Sequence, residues 1–116
     1  MEKVISIGGQ NVRLISSGAT PLIYKNAFNH DFFKDFSQVI DLAVKANEAT
    51  NDAEIAGEMV SYIPLFQQFI WTYAKNANQQ LPELKVWLST FDDFPTFDIV
   101  DDLIELMMAS ISSKKN

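Results

Sequence analysis

Residues Ser17 to Phe36, SGATPLIYKNAFNHDFFKDF, restrict the fold more than any other part of the chain. They hold two helix starts and the break between them. Thr20-Pro21 is a helix opening: the threonine hydroxyl can cap free N–H groups of the first turn, and proline lacks an N–H where none is needed. Asn29-His30-Asp31 breaks that helix, and Asp31 is placed to cap the next. Phe28, Phe32, Phe33 and Phe36 crowd the junction. A helical corner wedged by phenylalanines packs well and supplies no chemistry.

The flanking segments read in the same way. Met1 to Ser16 predicts a β-hairpin, with Val4, Ile5 and Ile7 before Gly8-Gly9-Gln10-Asn11 and Val12, Leu14 and Ile15 after it. Paired glycines supply the positive φ that hairpin turns need. After the helix over Thr20 to Asn29, a second runs from Asp31 to about Asn47, with Phe32, Phe33, Phe36, Val39, Ile40, Ala43 and Val44 at helical spacing. Asn47 to Asp52 is a polar loop. The longest helical pattern, Ala53 to Asn78, contains Pro64, which predicts a kink or restart near Ser61 to Pro64. A Pro-led start at Leu81-Pro82-Glu83 opens a helix with Leu84, Trp87, Leu88 and Phe91 inside. Thr96 caps a last helix from Phe97 to about Ile111. The expectation is a mainly α fold: one compact domain over residues 1–113, a bundle of about five helices with the hairpin at 1–16. Residues 114–116 form a frayed polar tail.

At 116 residues one domain fits, and roughly two-thirds of the unfolded surface can be buried without metal or disulfide staples. The chain has no cysteine, which removes disulfides and thiolate metal sites. No apolar run approaches the roughly 20 residues that span a bilayer, so no membrane partner is expected. MEKVISIGG lacks the features of a signal peptide, which favours the cytoplasm. The net charge of −6 and a single arginine, Arg13, argue against nucleic acid. Between Gln80 and Ser113 seven acids stand against Lys85 alone, an excess equal to that of the whole chain. This segment is either a solvated face or an acidic surface that steers a basic protein.

No catalytic, cofactor-binding or metal site is expected. His30 is the only histidine and has no second ligand beside it, so it reads as a capping or surface residue. Asp92-Asp93 and Asp101-Asp102 lack calcium-loop spacing. No nucleophile motif surrounds any serine, and Gly8-Gly9 is not a phosphate loop. The chain reads as a non-enzyme. What remains is apolar surface. Ile99, Val100, Leu103, Ile104, Leu106, Met107, Met108 and Ile111 cover more than one face of the last helix. Either that helix runs centrally through the domain, or it meets a second polypeptide. On the second reading, Phe94, Leu106, Met107, Met108 and Ile111 are the candidate protein-binding residues.

The hairpin, SGATPLIYKNAF, DFFKDF, FIWTYAKNAN and LPELKVWLSTFDDFPTFDIVDDLIELM follow one another in an order that resembles the small tail assembly chaperones of long-tailed bacteriophages and prophages. Tyr73-Ala74-Lys75-Asn76-Ala77 matches the end of that family's central helix. Trp87, Leu88, Phe91, Asp92 and Phe94 match its W-L-x-x-F-D-x-F element. The resemblance implies a protein made in the host bacterial cytoplasm during virion assembly and absent from the mature virion. It would coat the tape measure protein, keep it soluble and recruit tail tube protein, working as a homo-oligomer without cofactor. Many members come in two lengths through a ribosomal frameshift, and Lys114-Lys115 would suit a slippery site. The alternatives are a structural head–tail connector or tail completion subunit, and a small regulatory binding domain.

Overall fold

The computed structural model describes residues 1–48 and 52–111, without the side chains of residues 47, 52, 110 and 111. Most of the loop expected at 47–52 and the tail at 114–116 therefore lie outside the described residues. The hairpin is present, with β1 (Glu2–Ile7) antiparallel to β2 (Gln10–Ile15) and Ile7 opposite Gln10. Gly8 and Gly9 turn the chain at φ 55 and 82, the left-handed pair that a two-residue hairpin turn requires. Ile5, Ile7 and Leu14 point into the core. Glu2, Val4 and Ser6 face solvent.

Helix α1 (Thr20–Phe28) carries Pro21 in its first turn, as read from the sequence. Its cap differs from the expected one. Ala19 occupies the N-cap position without a side-chain bond. The Thr20 hydroxyl instead accepts from the Ser17 N–H at 3.0 Å, while Ser17 Oγ accepts from the Ala19 N–H at 3.1 Å. These bonds close the loop before the helix. Asn29 ends α1 in the left-handed conformation, φ 57. Helix α2 (Phe32–Glu48) starts as expected, with Asp31 Oδ1 accepting from the N–H groups of Phe33 and Lys34 at 2.8 and 3.1 Å.

The long apolar pattern is two helices, α3 (Asp52–Ser61) and α4 (Ile63–Ala77), separated at Tyr62. Pro64 falls in the first turn of α4, where its missing N–H leaves nothing unpaired. This division raises the expected five helices to six α-helices among the described residues. Helix α5 (Leu84–Leu88) is shorter than its apolar pattern suggests. A 3-10 turn (Thr96–Ile99) precedes α6 (Val100–Ile111), and Thr96 makes no capping bond.

Helix α4 runs through the middle of the molecule. Every residue from Phe69 to Ala74 is buried, so no single face points to solvent over that stretch. Tyr24 of α1 stacks on Phe69 with ring centres 4.9 Å apart, and Phe32 of α2 meets the same ring edge-on at 5.2 Å. The phenylalanine corner thus clamps α1 and α2 onto α4. The hairpin lies on α4 and α6, completing the core.

Candidate functional site

Helix α6 carries two apolar stripes, and the structure uses them differently. Ile99 of the preceding turn, Leu103, Leu106 and Met107 are all at least 97% buried, on the side that meets the core. Val100, Ile104 and Met108 recur at four-residue spacing on an adjacent flank. Val100 and Ile104 are half-buried and Met108 is 47% exposed.

Val100 and Ile104 form one wall of an apolar groove of about 290 Å3. The opposite wall is α2, through Val39, Leu42, Ala43 and Ala46. Met59 of α3 and Phe66 of α4 complete it. Small side chains at Ala43 and Ala46 keep the α2 wall low. Asp101 stands at the edge of the groove, exposed, with no hydrogen bond or ion pair to another described residue. On the other side Lys45 reaches Glu58 at 3.1 Å and ties α2 to α3. The surface is thus apolar at its base and carries at one rim a negative charge that no described residue compensates.

The acidic segment splits in two. Asp102 and Glu105 are engaged by Lys3 of β1 at 2.8 and 2.7 Å. Asp92, Asp93, Asp98 and Asp101 are exposed and make no ion pair with a described residue. Their charge remains available to a partner.

The binding residues expected from the sequence are not brought together. Leu106 and Met107 are core residues with no exposed area. The last helix therefore follows the central-helix reading over that stripe, because α4 and the hairpin both pack against it. Phe94 is half-buried, with its ring 5.6 Å from Trp87 and 5.2 Å from Phe91. Met108 is on the surface, and the Ile111 side chain lies outside the described residues. Sequence reasoning missed Val39, Leu42, Ala43, Ala46, Met59 and Phe66 as groove residues. The offset pair Val100 and Ile104 was the available signal for a second buried surface.

A second cleft of about 650 Å3, of mixed polar and apolar lining, opens between the corner at Asn29–Asp31, α2 and the junction of α3 with α4. The Tyr24 hydroxyl donates to Asp35 at 2.6 Å and lies 2.9 Å from the Gln68 side-chain oxygen. His30 Nδ1 is 3.1 Å from the same Asp35 carboxylate. Burial, reinforced by the neighbouring carboxylate, pushes the Tyr24 phenol far above its usual range. It stays protonated, so it acts here as a hydrogen-bond donor. Three elements are joined by this cluster, and His30 sits at the junction as a half-exposed surface histidine.

Among the described residues no three His, Asp or Glu side chains come together as a metal-binding group, and no helix is long and apolar enough to cross a membrane. No family model, curated protein or solved structure matches the chain.

Proposed function

We propose that this chain is a non-enzymatic tail assembly chaperone of a bacteriophage or prophage. It binds apolar helical segments of the tape measure protein, keeps that protein soluble and helps recruit tail tube subunits. It acts in the host cytoplasm and leaves before the virion is complete. The order of its motifs supports this reading, as does the kind of surface the fold presents.

One observation carries the physical part of the proposal. The stripe Val100, Ile104 and Met108 is not used up by the core, and its first half lines an apolar groove beside the Asp101 carboxylate, which no cation among the described residues pairs. A groove between helices accepts an amphipathic helix through side chains three and four residues apart. An acidic rim favours a helix with lysine or arginine beside its apolar stripe.

Co-expression with the tape measure protein encoded nearby is the test. The soluble fraction of that protein should rise when this chain is present. Ile104→Glu should abolish the gain while leaving the far-UV circular dichroism unchanged. No effect of the wild-type chain on solubility would overturn the proposal. Detection of the chain in purified virions would favour the structural-subunit alternative.

A further inference from the structure

Among the described residues the outer edge of β1 is open. The Ser16 N–H bonds to the Met1 carbonyl at 2.9 Å, and the strands keep that register to Ile7 opposite Gln10. Bonded pairs alternate along an antiparallel ladder, so Lys3, Ile5 and Ile7 turn their backbone groups toward β2. Glu2, Val4 and Ser6 turn theirs outward. Among the described residues no hydrogen bond reaches those outward groups. The far edge of β2 is different, since Asn76 of α4 donates its side-chain amide to the Ile15 carbonyl at 3.0 Å.

Strand edges are commonly protected by proline, by a bulge or by an inward-pointing charge. β1 has no proline, and its register with β2 is unbroken. Its one inward charge, Lys3, is already held by Asp102 and Glu105. The middle of the edge carries Val4, a β-branched residue that is 62% exposed.

From this we infer that β1 pairs antiparallel with β1 of a second copy of this chain, around a two-fold axis at Val4, joining two hairpins into one four-stranded sheet. The register follows from the backbone. Outward groups can bond only to outward groups, so even-numbered residues must face even-numbered residues. Centring on Val4 is the arrangement that uses all three. It places Val4 against its own counterpart and Glu2 against Ser6. No like charges then stand opposite each other, and the two valines cover one another on the solvent face. Centring on Lys3 or on Ile5 also faces even residues with even ones, but leaves Ser6 or Glu2 without a partner in the strand, and centring on Lys3 would oppose two lysines. The inference is independent of what the groove binds.

The chain contains no cysteine, so single cysteines report the register directly. Facing residues of a bonded pair lie within disulfide reach. Val4→Cys should therefore give a disulfide-linked dimer under mild oxidation. Ser6→Cys should not, because its counterpart would lie about 13 Å away along the strand. Sedimentation velocity should show a concentration-dependent dimer for the unmodified chain. Val4→Pro should be monomeric: the N–H it removes points outward, so the hairpin ladder keeps its bonds and the circular dichroism its wild-type form. Val4→Lys, which opposes two charges, provides a second monomeric variant with no backbone change. A wild-type chain that stays monomeric at several hundred micromolar overturns the inference. So does equal cross-linking of Ser6→Cys and Val4→Cys, or a dimer that survives both Val4→Pro and Val4→Lys.

Discussion

Lys3 on the hairpin places its ammonium 2.8 Å from the carboxylate of Asp102 on α6, ninety-nine residues further along the chain. Glu105, one turn on, accepts from the same ammonium at 2.7 Å. Two strands alone are marginal in water, and this contact joins the hairpin to the last helix of the chain.

The bonds to Asp102, and next to Glu105, raise the Lys3 pKa above its ordinary 10.5. A pKa raised on folding means that the contribution is complete below the unfolded value and is lost as pH rises through the folded one. Lys3→Met should therefore melt below the wild type at pH 7, and the gap should close above about pH 10.5. Thermal melts of both proteins across that range are the check. Because the pair is partly solvated, the gap at pH 7 should be small and shrink with added salt.

Tyr24→Phe leaves the buried corner intact in shape but removes the donor to Asp35. Among the described residues the buried carboxylate then keeps His30 alone as a side-chain partner. A loss of about 1.5–3 kcal/mol is expected in urea unfolding at pH 7, the usual contribution of a hydrogen bond to a charged group. The wild type should also lose stability as pH rises past the ordinary tyrosine value of 10.0, because only the unfolded phenol ionises there. That alkaline slope should be shallower in Tyr24→Phe.

Gly8→Ala should destabilise the hairpin by about 1–3 kcal/mol, through a strained positive φ and a steric clash. The backbone sits at φ 55, and the added Cβ would lie 2.8 Å from the Asp93 carbonyl oxygen and 3.3 Å from the Phe91 ring. At Gly9 nothing lies within 4 Å of such a Cβ, so Gly9→Ala should show the conformational cost alone. Comparing the two midpoints separates packing from backbone strain.

Leu106→Ala should cost about 2–5 kcal/mol, as expected for a cavity in a closed core. Met108→Ala, two residues along, should stay within about 0.5 kcal/mol of the wild type. The contrast follows from their exposures of 0% and 47%. Equal losses in denaturant unfolding would show that both side chains are core.

Several elements were legible because their signals are local. The glycine pair, Asp31 as a cap and the interruption at Pro64 each act within a few residues, where backbone sterics and hydrogen bonding dominate. The cap of α1 was misread because Thr20 had a competing local partner, the Ser17 N–H. The short α5 and the 3-10 turn at Thr96 were not legible. Their ends depend on how Trp87, Phe91 and Phe94 pack together. The candidate site was least legible. Leu106, Met107 and Met108 are alike in sequence, yet only Met108 reaches the surface.

The amino-acid sequence by itself determined a helical domain with an N-terminal hairpin, and two apolar stripes on its last helix. Helical periodicity and turn chemistry are properties of neighbouring residues, so they can be read without the fold. Only the tertiary structure decided which stripe α4 and the hairpin cover, and that Val100 and Ile104 face a groove walled by α2. It also decided that the β2 edge receives a bond from Asn76, while among the described residues nothing bonds to the outer edge of β1. Burial is set by what other elements place against a surface, and those elements lie tens of residues away in the chain.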